Sequence, residues 1–172
     1  MYNKRFSKSL HDQNDAKGKQ AAIEIMRDLA GAVLFEENTS EQAGDFSKGF
    51  WDVSFKLREN EKIIRVEPEI KASKWWGENF VSRTGKPFQY PDIDIPYRKH
   101  KCVADLHMVI SSNLDLGFLV FRKKMDEVLA RKGGRPKFKT TIFEPEGGYY
   151  FTIPVEEGRF VQKSNGKWRI RT

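Results

Sequence analysis

"RVEPEIKAS", Arg65 to Ser73, sets Glu67, Glu69 and Lys71 at alternate positions of a stretch that otherwise reads as a β-strand. Successive strand side chains point to opposite faces, so these three share one face while Val66, Ile70 and Ala72 take the other. Pro68 fits an exposed edge strand, because proline lacks the N–H that a central ladder requires. A solvated edge and a concentrated polar site are therefore the two readings of this face.

The preceding segment separates them. "FWDVSFKL", residues 50–57, alternates Trp51, Val53, Phe55 and Leu57 with Asp52, Ser54 and Lys56, the pattern of a half-buried strand. "RENE" makes the turn, and "KIIRVEPEIKA" returns as the antiparallel second strand of a hairpin. An acidic residue on one strand beside Glu-x-Lys on the next places two carboxylates where they can share a divalent cation, with an ammonium alongside. Hard oxygen ligands hold Mg²⁺ or Mn²⁺ while leaving positions for water and a phosphate oxygen. Such a set suits phosphodiester hydrolysis, with the ion polarising the phosphate and activating water, and the lysine orienting that water or stabilising the developing charge.

Asp52, Glu69 and Lys71 in this arrangement resemble the PD-(D/E)xK nucleases of the restriction-endonuclease-like fold. The resemblance covers about residues 19 to 111 and is carried by a helix, the strand "FWDVSF" and the strand "EPEIKAS". It implies that Asp52 and Glu69 bind Mg²⁺ or Mn²⁺ and that Lys71 assists the nucleophile. A glutamate on the first helix often completes the family's site; Glu24 is the candidate here, and Glu67 remains open as an alternative. Glu69-Ile70-Lys71 is the one Glu-x-Lys in the chain. The chain departs from the family pattern in having Trp51 rather than proline before Asp52, and Pro68 inside the motif strand. The literal Pro91-Asp92 follows the motif strand instead of preceding it, and "YPDID" reads as a turn.

The rest of the chain sets the bounds. At 172 residues it makes one globular domain, and no apolar run approaches membrane-spanning length. The polar start has no signal-peptide core, so an intracellular, cytoplasmic or DNA-associated protein is expected, not a secreted one. One cysteine, Cys102, allows no internal disulfide, and His11, His100 and His107 have no zinc-site spacing. The expected fold is α/β (α+β): a restriction-endonuclease-like mixed sheet flanked by helices. Its parts would be a flexible arm over 1–18, a nuclease-like core over 19–121, and a basic, β-rich extension over 122–172 packed on that core.

Within this plan a helix runs from about Lys19 to Val33, with Ala22, Ile25, Met26, Leu29 and Val33 as its apolar stripe. A long Gly-, Pro- and aromatic-rich loop, 73–96, follows the motif strand, and its Trp75-Trp76 is either a core cap or a base-stacking element. A short helix then opens after Pro96, followed by two strands in "ADLHMVISS" and "GFLVF" and the helix "RKKMDEVLARK" stopped by Gly133-Gly134. "SNGK" closes a tight C-terminal hairpin.

Charge is uneven. Residues 1–121 hold 18 Lys+Arg against 18 Asp+Glu, whereas residues 122–172 hold 13 against 6, so the net +7 lies in the last third. DNA is the expected partner, with Lys123, Lys124, Arg131, Lys132, Arg135, Lys137 and Lys139 as phosphate contacts. A solvated basic surface is the bland alternative. The sequence thus points to a metal-dependent DNA endonuclease, sequence-specific or junction- or flap-selective, and is compatible with a homodimer. The alternative is a non-catalytic nucleic-acid-binding protein, or a degenerate relative of the nuclease fold with a structural or assembly role.

Overall fold

A computed structural model describes residues 8–38, 51–71, 91–140 and 145–171, with side chains from residue 12 onward. The chain opens with helix α1 (Lys8–Ala30). Residues 8–18, expected in a flexible arm, are instead its first turns. Asp15 pairs with Lys19 one turn on at 2.9 Å, and Gly18 lies against Pro68 and Ile70, so the helix is held to the sheet before its apolar stripe begins. The helix ends before Val33 because Gly31 takes a left-handed φ of +58°, with its N–H bonded back to the Arg27 carbonyl at 3.0 Å. Val33 therefore belongs to β1 (Val33–Glu37), a strand the sequence reading treats as the end of the helix and the start of a loop.

β1, β2 (Val53–Lys56) and β3 (Ile63–Lys71) form an antiparallel meander, with Val53 opposite Val66. β5 (Leu106–Ser111) pairs parallel to β3, and β6 (Leu116–Phe121), β9 (Arg159–Ser164) and β10 (Lys167–Ile170) continue a seven-stranded mixed sheet in the order β1-β2-β3-β5-β6-β9-β10. The last two strands are joined through Asn165 and Gly166, both at positive φ, as the Asn-Gly pair requires. A second sheet, β4-β8-β7, contains β4 (Asp92–Pro96), β7 (Lys137–Lys139) and β8 (Gly148–Pro154). "DIDIP" is thus a strand: Ile93 and Ile95 alternate with Asp92 and Asp94, and this period outweighs the turn-like Pro91-Asp92.

Each face of the large sheet has its own cover. Ile64, Val66, Met108 and Ile110 pack with Val53, Phe55 and Trp168 against Ala22, Ile25 and Met26 of α1. On the opposite face Val109, Phe118 and Val120 meet Ile93 and Ile95 of β4, Phe151 and Ile153 of β8, and Met125 and Val128 of α2 (Arg122–Arg131). Cores of this kind lose roughly 3–5 kcal/mol when a buried phenylalanine is cut to alanine. Residues 122–172 are therefore not an extension laid on a finished core. They supply two strands of the main sheet and most of the second sheet. Among the described residues no helix is long and apolar enough to cross a membrane.

β3 pairs with β2 over Ile63–Val66 and with β5 over Val66–Lys71, and this decides how Pro68 is tolerated. The Val66 carbonyl points toward β2, where it accepts from Asp52 N–H at 3.3 Å, so Pro68, two residues on, faces the same side. The β2 ladder has already ended there, and no N–H is missed. Beyond Val66 the strand has no described partner on the β2 side, so the edge reading of "RVEPEIKAS" holds for its pairing but not for its exposure, since Glu67 is buried. Ser54, expected on a solvated face of β2, is buried too, with its hydroxyl unpartnered among the described residues.

Candidate functional site

The β2–β3 ladder ends at Val53 and Val66; Asp52, just before β2, donates its N–H to the Val66 carbonyl at 3.3 Å and lies close enough to Glu67 for the two charges to act on each other. The parallel β3–β5 register sets Glu67 beside His107. Glu67 and His107 lie on the face turned away from α1, and Asp52, at the entry to β2, feels Glu67 and Lys99 as well as Asp15 and Lys19 of α1. Asp52, Glu67 and His107 are buried at 6%, 3% and 2% exposure. Above them runs a 3-10 turn, Tyr97–Lys101, close to the short helix expected after Pro96. Its Lys99 ammonium donates to Glu67 Oε1. Arg122, the first residue of α2, fixes this turn by donating to the carbonyls of Lys99, His100 and Cys102 at 3.3, 2.7 and 2.8 Å.

The face opens along β3. Two residues beyond Glu67, Glu69 and Lys71 keep side-chain exposures of 23% and 24%, and the Lys71 ammonium lies 3.9 Å from Glu69 Oε1. Lys71 Nζ also donates to the Asp94 carbonyl of β4 at 3.2 Å, which ties the motif strand to the second sheet. The polar face is thus graded, from a closed acidic end at Asp52 and Glu67 to an accessible end at Glu69 and Lys71.

Burial sets the protonation behaviour of the closed end. It drives the Asp52 pKa up from the ordinary 3.8 to about 7, with the charge of Glu67 adding to the rise while Lys99 and Lys19 oppose it. Glu67 is raised as well, by burial first, with Lys99 opposing and Glu69 adding. Burial alone would lower the Lys99 pKa, but Glu67, Glu69 and Asp52 together hold it above its usual value. His107 is pushed down to about 3 by burial and by the Lys99 and Arg122 charges, so at neutral pH it is an uncharged imidazole. Cys102, beside this group, rises to about 12 through burial and the charge of Glu67, which leaves it a thiol rather than a nucleophile.

Two buried polar atoms of the cluster, Glu67 Oε2 and His107 Nε2, lack a partner among the described residues. An orphaned carboxylate oxygen beside a second buried carboxylate is the donor chemistry that a hard divalent cation takes. Mg²⁺ is commonly held by only one or two carboxylates together with waters and substrate phosphate. Among the described residues no three His, Cys, Asp or Glu side chains converge on one metal position. Asp52 and Glu67, with Glu69 next along the strand, fit an ion of the partly hydrated kind rather than a closed protein cage.

The sequence-derived set is thus brought together in part. Glu69 and Lys71 share the face expected of them, while the carboxylate whose charge acts on Asp52 is Glu67. Glu24 lies elsewhere: its Oε2 accepts from Lys163 Nζ at 2.8 Å and Trp168 Nε1 at 3.2 Å, on the β9–β10 side of α1. Instead α1 sends Asp15 and Lys19 toward the site, whose charges act on Asp52. Lys19 is itself buried and donates to the Asn38 carbonyl at 2.7 Å, while Asn38 N–H binds the Asp52 carbonyl at 2.9 Å. Lys99 and His107 carry no local motif, and only the pairing of β3 with β5 brings them in. Trp75-Trp76 lies outside the described residues.

The basic residues also divide. Lys124 pairs with Glu127 at 2.9 Å and Glu157 at 3.6 Å, Arg131 pairs with Glu157, and Lys139 with Asp94 at 2.6 Å. Lys132 donates to the Thr152 carbonyl at 2.8 Å. Lys123, Arg135 and Lys137 form no ion pair with a described residue. Compared with known proteins, the chain matches no protein-family model, no curated protein and no solved structure.

Proposed function

We propose that the protein is a metal-dependent DNA endonuclease whose site is the Asp52, Glu67, Glu69 and Lys71 face of β2 and β3. One observation carries this reading: the buried carboxylates Asp52 and Glu67, coupled to each other and with raised affinity for a proton, stand next to an accessible glutamate and lysine further along β3. Strongly shifted carboxylates in a defined charge environment are characteristic of working sites. The mixed sheet and the helix against it are in keeping with the restriction-endonuclease-like resemblance.

Asp52 and Glu67 would hold Mg²⁺ or Mn²⁺, with Glu69 completing the set. When bound, the ion supplies Lewis-acid polarisation of the phosphate and a more acidic water. The chain's own residues do the rest. Lys71, steadied by the Asp94 carbonyl, keeps its remaining protons for a phosphate oxygen or the attacking water. Lys99 neutralises part of the acidic charge, and Lys123, Arg135 and Lys137, which form no ion pair with a described residue, offer cations to the phosphate backbone.

A second reading, a nucleic-acid-binding protein on a degenerate nuclease frame, is favoured by the Lys99–Glu67 ion pair, which already gives Glu67 a cation. Incubation with plasmid, linear and branched DNA, with and without Mg²⁺ or Mn²⁺, separates the two. Metal-dependent cleavage that disappears in Asp52→Ala supports the enzyme. DNA retention without cleavage under every condition leaves the binding protein.

A further inference from the structure

β7 begins at Lys137, opposite Tyr150, so on that side β8 runs on through Phe151, Thr152 and Ile153 with no strand partner. The space beside this edge, under the C-terminal end of α2, is a pocket of ≈ 50 Å³. Buried Val128, Phe151 and Ile153 form its base, and Lys132, Arg135 and Lys137 stand around it. No described carboxylate lines it. Elsewhere on this surface Lys124 and Arg131 are matched by Glu157 and Lys139 by Asp94, while Lys123 has no ion pair with a described residue. Here Lys132 is engaged by the Thr152 carbonyl, and Arg135 and Lys137 line the pocket with no ion pair to a described residue.

Size and charge narrow the ligand. A cavity of this volume has room for about three to five water-sized groups, which suits a phosphate and excludes a whole nucleotide. A phosphomonoester brings roughly −1.5 to −2 charges and three strong acceptor oxygens, against the single charge of an internal diester. Three cations around one small pocket match the monoester.

The surroundings point to a nucleic-acid strand as the bearer of that phosphate. Tyr150 borders the pocket, and Phe138 and Tyr149, directly paired across β7 and β8, are exposed and packed edge to face with centroids 5.2 Å apart. Exposed aromatics beside a basic groove are the usual platform for unpaired bases. Pocket and candidate site also flank the same pair of strands. Thr152 Oγ1 donates to Asp94 Oδ1 at 3.1 Å, and the Asp94 carbonyl accepts from Lys71 at 3.2 Å. We infer that this pocket binds the terminal phosphate of a nucleic-acid strand and so directs the protein to strand ends, an assignment that rests on the nuclease reading only for its choice of macromolecule.

Fluorescence anisotropy without divalent metal tests it, using three otherwise identical short single-stranded DNAs with a 5′-phosphate, a 3′-phosphate or hydroxyls at both ends. One phosphorylated strand is expected to bind about tenfold tighter than the hydroxyl strand, the worth of a few charge-assisted hydrogen bonds. Inorganic phosphate should abolish that preference, and so should Arg135→Gln/Lys137→Gln, both at exposed positions. Equal binding of all three strands, or a preference that survives in the double variant, overturns the assignment. So does a phosphoserine peptide, or inorganic phosphate alone, binding as tightly as the preferred strand. Repeating the titration with Asp52→Ala keeps the two readings apart. End preference without any metal-dependent cleavage removes the nuclease, and cleavage without end preference removes only the pocket.

Discussion

Glu24 and Glu67 are both carboxylates bonded to a lysine ammonium, Lys163 and Lys99, yet their environments drive them in opposite directions. Glu24 is partly exposed, and its hydrogen bond from Lys163 lowers its pKa, helped by Trp168. Glu67 is buried beside Asp52, so desolvation outweighs the attraction of Lys99 and the pKa rises. The first pair is a satisfied clamp between α1 and the β9–β10 hairpin. The second is a strained group with an orphaned oxygen. Salt-bridge geometry alone does not distinguish them; burial and a second carboxylate do.

The widest expected separation between the two clusters is in activity. Asp52→Ala should lower metal-dependent DNA cleavage by roughly three orders of magnitude, as loss of a principal electrostatic group does at such sites. Glu24→Ala should leave it within about threefold, since ordinary context effects are of that size. A nicking assay on supercoiled plasmid reads both, and equal losses in the two variants would erase the distinction.

Stability should move the other way. Asp52 has its folded pKa raised from 3.8 to about 7, so the folded state holds the proton more tightly than the unfolded chain. Its favourable contribution is complete below about pH 4 and is lost as pH rises through 7. At about 1.4 kcal/mol per pKa unit, the loss amounts to at most about 4 kcal/mol. Asp52→Asn carries no titrating proton, so urea unfolding should find it less stabilised over wild type at pH 5 than at pH 8. A constant difference between the two variants across that range would mean that Asp52 is ionised throughout. An inactive but more stable variant is the expected mark of a residue kept for function.

How far the sequence could lead follows from the range over which each contact acts. Asp52 and the Glu67–Lys71 alternation lie on one hairpin, where strand period and turn are local, so their common face is legible. Which glutamate lies near Asp52 depends on where the β2–β3 ladder ends, and that is set by the bond from Asp52 N–H to the Val66 carbonyl, which no pattern of residue types announces. Lys99 and His107 arrive through the β3–β5 parallel pairing, across an intervening stretch that no local signal spans. Likewise, only the completed sheet shows that Glu24 faces Trp168 and that β9 and β10 belong to the main sheet. Asp15 escaped because its polar neighbourhood has the composition of a solvated arm, and Lys19, at the start of the expected helix, escaped because nothing local shows its contact with Asn38.

Lys71 sharpens the comparison within the site itself. It is accessible, and no part of its position requires it to hold a metal. Lys71→Ala should therefore cost on the order of 100-fold in cleavage rate, about 2.7 kcal/mol of barrier, while Mg²⁺ binding measured by calorimetry stays close to wild type. Loss of metal binding together with rate would make the lysine part of the ion's support instead of the reaction.

The smallest effect belongs to the clamp. Glu24→Ala removes the acceptor of Lys163 and of the Trp168 indole N–H. Lys163 is accessible enough to be rehydrated, so its share is small, but the indole is buried and loses its acceptor. A loss of roughly 1–2 kcal/mol follows, on the scale of one unsatisfied buried donor. Because the Glu24 pKa is lowered from 4.5, the carboxylate's favourable contribution is present above that value and fades as pH falls through the folded pKa. Wild type and Glu24→Ala should thus converge in acid, whereas wild type and Asp52→Asn diverge as pH rises. Denaturant titrations of the three proteins at pH 4, 6 and 8 would show both trends, and parallel curves for all three would place Glu24 and Asp52 in the same electrostatic class.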